Sequence, residues 1–188
     1  MSSIEKARQR LDSLEDCSSF EKMIETTALL TELLEPYRIQ PTVVGGLAVE
    51  IYTRSDYTTV DIDVIISDRK TAGNILEQLG FLVNEKHWYH PRLLISNEIP
   101  NDILEDADLE RVIKMNIGEG KNIYAIGIED IILDRMRPCV HWKSTSDCEW
   151  GRRMFLLHFD HLDLKYMQET ATTDGTLSLL ENWLNTFT

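Results

Sequence analysis

The sequence predicts an α+β fold, a mixed β-sheet flanked by helices at both ends. Three observations carry that reading. Phe20, Met23, Ile24, Thr27, Leu30 and Leu34 recur at three- to four-residue spacing, which is one face of a helix. Between residues 37 and 127, short β-branched runs recur, and those after Gly80 follow one another without helical crossovers. From Glu129 onward the pattern is helical.

The elements follow in order. Residues 4–16 and 19–36 read as two helices. Ser18 or Ser19 is placed to cap the second, Glu21 or Lys22 lies in its first turn, and Pro36 ends it. Residues 41–44 form a short β-type run that stops at Gly45-Gly46, and Leu47 to Tyr52 returns to helical character. The β-branched stretch over 58–66, TTVDIDVII, reads as a strand. Asp68-Arg69-Lys70 opens a helix that runs to Gly80, which is placed as its C′ cap. Two strands are expected at Phe81–Asn84 and Leu93–Ile99, around a turn at Pro91. Arg111–Ile117 and Asn122–Ile126 read as a hairpin turning at Gly118–Lys121. The last helices are expected at 129–137, 146–168 and 174–187, with Pro138 kinking or ending the first. Length predicts a single domain over 1–188: a helical lead-in (1–36), a core (37–127) and a helical C-terminal segment (128–188).

Composition narrows the function. The chain carries 32 acidic and 19 basic residues, so 19 − 32 leaves a formal charge of −13. A passive nucleic-acid binder gains affinity by neutralising phosphates and is expected to be basic, so non-specific nucleic-acid binding is not expected here. An acidic chain still handles a polyanion when its carboxylates hold a divalent metal. The three cysteines, Cys17, Cys139 and Cys148, are odd in number, which argues against a disulfide framework. The N-terminus has no apolar stretch, and runs such as Val64-Ile65-Ile66 are too short to span a bilayer. A cytoplasmic protein with no membrane partner is therefore expected.

Asp61 and Asp63 carry the chemistry. At i and i+2 on a strand they point to one face, while Val60, Ile62 and Val64 point to the other. Adjacent carboxylates repel unless a positive charge stands between them, and divalent metal is the common solution. An isolated Asp-x-Asp is otherwise a solvated strand edge; here the acids interrupt an apolar run, where desolvated charge is costly. Upstream, Gly45 and Gly46 lie between strand and helix. They permit φ > 0 and close backbone approach, at a helix N-terminus that favours an anion. Alone this is a tight turn; together the two features describe triphosphate held by backbone amides and by metal on carboxylates.

Strand, Gly-Gly, helix and then Asp-x-Asp on the next strand resembles the nucleotidyltransferase superfamily with the polymerase-β-type fold. The phrase over 43–66, VVGGLAVEIYTRSDYTTVDIDVII, is similar to its small prokaryotic branch, which includes abortive-infection toxins. The family commonly has Ser after or in place of the second glycine; Leu47 stands here, so backbone amides must suffice. The resemblance implies Mg²⁺ (or Mn²⁺), an NTP as co-substrate, and transfer of a nucleoside monophosphate with release of pyrophosphate. The acceptor stays open among a protein, a small molecule and an RNA end, as does a cognate antitoxin. The resemblance also implies a third metal-binding and catalytic carboxylate beside Asp61 and Asp63. Glu98 matches best, and its plainer reading is a strand-end surface acid; Asp102, Asp106 and Asp108 compete from a polar loop.

Other residues carry two readings. Arg54 reaches a phosphate or is a solvated helix-end cation. Thr58 and Thr59 serve β-propensity, and Arg69 and Lys70 pair with Asp68. His87, Trp88, Tyr89 and His90 form a base-stacking or acceptor-binding cluster, or a hairpin with partly buried aromatics. Cys139, His141, Cys148, His158 and His161 lack the spacing of a standard zinc site. Asp134-Arg135 faces the cleft or is a surface pair, and Trp142, Trp150 and Trp183 pack between helices. The rival to an enzyme is a catalytically degenerate binding module of the same fold.

Overall fold

A computed structural model describes residues 3–104 and 107–186. Helices α1 (Ser3–Asp12) and α2 (Ser19–Leu34) lead the chain. Ser18 caps α2 in a full capping box: its hydroxyl accepts from the Glu21 N–H, and the Glu21 carboxylate accepts from the Ser18 N–H. A 3₁₀ turn at Glu35–Tyr37, with Pro36 inside it, closes the helix. Strand β1 (Thr42–Val43) then runs into α3 (Gly45–Tyr52), β2 (Asp61–Ile65) and α4 (Arg69–Gln78). Asp68 caps α4, and Gly80 follows it at φ +101°.

The sheet then fills with β3 (Leu82–Asn84), β4 (His87–His90), β5 (Ile95–Glu98), β6 (Ile113–Asn116) and β7 (Asn122–Ala125). Its order is β3-β4-β5-β2-β1-β7-β6. Strand β2 pairs parallel with β5 and β1 with β7; the other pairs are antiparallel, so the sheet is mixed and the fold α+β as expected. The two strands expected around Pro91 are in fact three. His87–His90 is itself a strand: Trp88 and His90 are buried, while His87 and Tyr89 are exposed.

Helices α5 (Ile128–His141), α6 (Thr145–His158), α7 (Leu164–Thr173) and α8 (Leu177–Leu184) complete the chain. Four expectations change here. Pro138 does not end α5, which continues to His141, where the His141 ring meets the Asp174 carbonyl oxygen at 2.9 Å. The helix expected over 146–168 is two, separated by a 3₁₀ turn at Phe159–His161, because Asp163 caps α7 by accepting from the Tyr166 N–H. Cys139 and Cys148 form a disulfide, since α5 and α6 pack as a hairpin that brings their Cα atoms to 4.8 Å; Cys17 is the odd thiol. Trp183 is buried, but Trp142 is 75% exposed and packs between no helices. The last residue of the expected final helix, Phe187, lies outside the described residues.

A continuous apolar core runs from Ala7 and Leu11 through Ile62, Val64 and Ile95 to Phe155 and Trp183. Helix α4 covers the sheet face that Trp88 points to: a Cβ on Gly73 would stand 2.7 Å from the indole. No described helix is long and apolar enough to cross a membrane.

Candidate active site

The site begins where β1 ends. Val44 is the N-cap of α3 and supplies no side-chain cap. Gly45 follows at φ +57°, and a Cβ there would lie 2.2 Å from Asp63 Oδ2. Both facts demand glycine. The Gly46 N–H donates to that same Oδ2 at 3.2 Å, so Asp63 caps α3 from the neighbouring strand. A Cβ on Gly46 would stand 3.1 Å from Thr59 Oγ1. Thr59 is positioned in turn: its N–H donates to the buried Glu50 carboxylate at 3.0 Å, and its hydroxyl oxygen accepts from the Asp61 N–H at 3.3 Å.

Strand β2 buries Ile62 and Val64 on one side, which leaves Asp61 and Asp63 on the other. In the parallel register with β5, Asp61 lies opposite Ser96 and Asp63 opposite Glu98. The next strand extends both rows: Tyr89 lies opposite Ser96 and His87 opposite Glu98. Asp61, Asp63, Ser96, Glu98, His87 and Tyr89 thus share one face. The Ser96 hydroxyl donates to Asp61 Oδ1, and His87 Nδ1 stands 3.6 Å from Glu98 Oε2.

Burial, foremost, pushes the Asp63 carboxyl above the ordinary carboxylate range. The Gly46 hydrogen bond opposes that shift, the charges of Glu98 and Asp61 add to it, and Arg135 opposes it. A cavity of about 290 Å³ opens beside Asp63, with Gly45, Asp134 and Arg135 in its wall. Arg135 is held there by Asp134 at 2.7 Å and by Asp147 at 2.9 Å, so the Asp134-Arg135 pair does face the cleft.

Of the residues singled out from the sequence, Gly45, Gly46, Asp61, Asp63 and Glu98 come together. Arg54 does not. It is exposed beyond the far end of α3, and an eight-residue helix, about 12 Å long, separates it from the glycines. Among the competing acids, Asp102 is exposed, Asp108 caps the 3₁₀ turn at Leu109–Arg111, and Asp106 lies outside the described residues. Arg69 does not pair with Asp68 but donates to the Ile99 and Pro100 carbonyls just after β5. The disulfide takes both thiols from the zinc reading, and His158 contacts the Tyr52 carbonyl at 2.8 Å. Ser96, Thr59 and the partnership of His87 with Glu98 were not foreseen. Ser96 and Thr59 left the same signal, since each stands two residues before a singled-out acid, Glu98 or Asp61, on an expected strand and so shares its face.

Three carboxylates and a hydroxyl on one face are the hard-oxygen donors that Mg²⁺ or Mn²⁺ takes. In this arrangement no three His, Cys, Asp or Glu side chains among the described residues converge closely enough to hold an ion. Asp61 turns to Ser96, Asp63 to Gly46 and Glu98 to His87.

No protein-family model and no curated protein matches this sequence. Solved structures do match. The chain is similar to an antigenic nucleotidyltransferase-like protein from Paracoccidioides brasiliensis, with TM-score 0.57 and 17% identity, over 87% of this chain and 92% of that one. It is also similar to the antibiotic-resistance factor ANT(2'')-Ia, with TM-score 0.51 and 16% identity, over 85% of this chain and 97% of that one. The fold is therefore nucleotidyltransferase-like.

Proposed function

We propose that this chain is a metal-dependent nucleotidyltransferase. It transfers a nucleoside monophosphate from an NTP to an acceptor and releases pyrophosphate. One observation carries the reading: Glu98 stands opposite Asp63 on the parallel neighbour of β2, at the glycine turn that starts α3. The nucleotidyltransferase-like fold supports it.

Asp61, Asp63 and Glu98 would hold the metal; when bound, the ion supplies charge stabilisation for in-line displacement at phosphorus. The amides at the start of α3 bind phosphate oxygens once Asp63 turns from Gly46. Glu98 completes the ligand set or takes the proton of an acceptor hydroxyl. Arg135, held by two aspartates at the cavity wall, offsets part of the negative charge around Asp63. The acceptor is a protein, a small molecule or an RNA end, and a cognate antitoxin is the partner if the chain acts as a toxin.

The test incubates the protein with α-labelled NTPs, Mg²⁺ or Mn²⁺ and cell extract. The parent should label one size class, and Asp61→Asn, Asp63→Asn and Glu98→Gln should each lower the rate about a hundredfold or more with unchanged circular dichroism. Variants as active as the parent defeat the assignment. The second reading, a degenerate binding module, is favoured by the engagement of each carboxylate with a protein partner. Titration of Mg²⁺-NTP that shows binding without turnover selects it.

A further inference from the structure

The face that carries the carboxylates extends beyond them. Leu82 lies opposite Tyr89, and Asn84 opposite His87. Two rows therefore cross four strands on one face, Asp61-Ser96-Tyr89-Leu82 and Asp63-Glu98-His87-Asn84. Neighbouring strands stand about 4.8 Å apart, so the stretch from β5 to β3 is about 10 Å wide. Helix α4 packs on the reverse side, against Trp88. On this side the outer residues are open: Leu82 is 61% and Tyr89 42% exposed, and His87 and Asn84 are exposed as well.

This floor has a direction. The sheet order runs β3-β4-β5-β2-β1, and α3 follows the end of β1. The start of α3, where phosphate is expected, is thus on one side of Asp63, and β5, β4 and β3 are on the other. In-line displacement at phosphorus sets the attacking oxygen opposite the leaving pyrophosphate. The cavity of about 290 Å³ has Val44 and Gly45 in its wall and so belongs to the phosphate side. The acceptor side is the open floor.

Its chemistry selects among acceptors. Small-molecule sites are concave, whereas these rows are an open sheet surface. An RNA end calls for cations, and none of the eight residues is Lys or Arg; Lys86, in the turn between β3 and β4, stands next to Glu85. The floor offers instead an apolar margin, Leu82 and Tyr89, beside carboxylates in a chain of net charge −13. A partner of complementary charge is basic.

We propose that this floor is the acceptor site and that the acceptor is a basic protein segment, whose Tyr or Ser hydroxyl reaches across β4 to Glu98. This rests on the transferase reading above. The hydroxyl oxygen bonds to the α-phosphorus of the NTP as the bond from that phosphorus to pyrophosphate breaks. The hydroxyl proton passes to Glu98, and pyrophosphate leaves toward α3. Leu82 and Tyr89 hold the apolar side chains of the segment and act on acceptor binding alone.

The test supplies Mg²⁺, α-labelled NTPs and one acceptor at a time: random copolymers of Lys with Tyr or with Ser, a Glu–Tyr copolymer, an RNA oligonucleotide, or the small-molecule fraction of cell extract. A lysine copolymer should be labelled about tenfold or more faster than the rest. Tyr89→Ala and Leu82→Lys should each raise its half-saturating concentration about fivefold or more, with half-saturating NTP and circular dichroism unchanged. Ile113→Lys, on β6 at the opposite edge of the sheet, should leave it unchanged, which separates the floor from overall charge. Faster labelling of RNA, of the Glu–Tyr copolymer or of small molecules overturns the proposal and leaves the transferase reading standing. So do floor variants equal to the parent, or lysine copolymers left bare by an enzyme that labels whole extract. No label in any acceptor, whole extract included, defeats the transferase reading and this inference with it.

Discussion

Gly45 and Gly46 are adjacent glycines with different duties. At Gly45 a side chain meets the Asp63 carboxylate at 2.2 Å and also takes a left-handed backbone; at Gly46 it needs no left-handed backbone and meets Thr59 Oγ1 and Cβ at 3.1 and 3.3 Å and the Tyr57 ring at 3.5 Å. Gly45→Ala should therefore cost about 2 kcal/mol or more in urea unfolding, and Gly46→Ala clearly less. Equal costs would show that the Asp63 contact does not govern the turn. Asp130 gives a pH signature. Burial, foremost, pushes its carboxyl up, while the Tyr166 hydroxyl at 2.5 Å, the Asp108 N–H and Arg111 hold it down. Tyr166 is itself pushed up to about 12, by burial and by Asp130. The folded protein thus holds the Asp130 proton more tightly than the unfolded chain does. Its contribution is most favourable near and below the ordinary value of 3.8 and is lost as pH rises through the higher native value. Asp130→Asn should remove that decline, so unfolding at pH values from about 4 to about 7 should favour the variant increasingly as pH rises. A difference independent of pH defeats the assignment.

At the scale of elements, the α5–α6 hairpin is closed by the Cys139–Cys148 disulfide, nine residues apart, and carries the Arg135–Asp147 pair. Reduction should lower the unfolding free energy by about 2–3 kcal/mol, with Cys148→Ser matching the reduced parent. A parent insensitive to reductant would show that the bond adds nothing. The same elements show what the sequence makes legible. Gly45-Gly46 and Asp61-x-Asp63 declare themselves, because a glycine turn and a period-two pair of acids are local patterns. Glu98 is visible as an acid on a strand. That it faces Asp63 depends on β5 lying beside β2, a pairing across more than thirty residues that no local pattern encodes. Strand β4 hid because His87, Trp88, Tyr89 and His90 show no apolar–polar alternation, although the sheet buries every second one. The break before α7 hid because Asp163 sits within an otherwise helical pattern and acts as a cap. Counting cysteines misled because an odd total does not prevent two of them from facing one another.

At the scale of the molecule, a charge of −13 is self-repulsive wherever acids outnumber their partners. Raising salt from about 50 mM to about 500 mM should therefore raise the thermal midpoint, and a fall would show that surface pairs such as Arg92 with Asp12 and Glu15 outweigh the repulsion. The Gly46–Asp63 hydrogen bond has a larger consequence than the capping of one helix. It makes the protein its own guest: the negative group seated at the start of α3 is an internal one. Anything that draws Asp63 away bares an amide at the positive end of a helix, and an anion seated there sets Asp63 free. Occupancy of the carboxylates and occupancy of the helix start are thus linked, and the linkage must run equally in both directions.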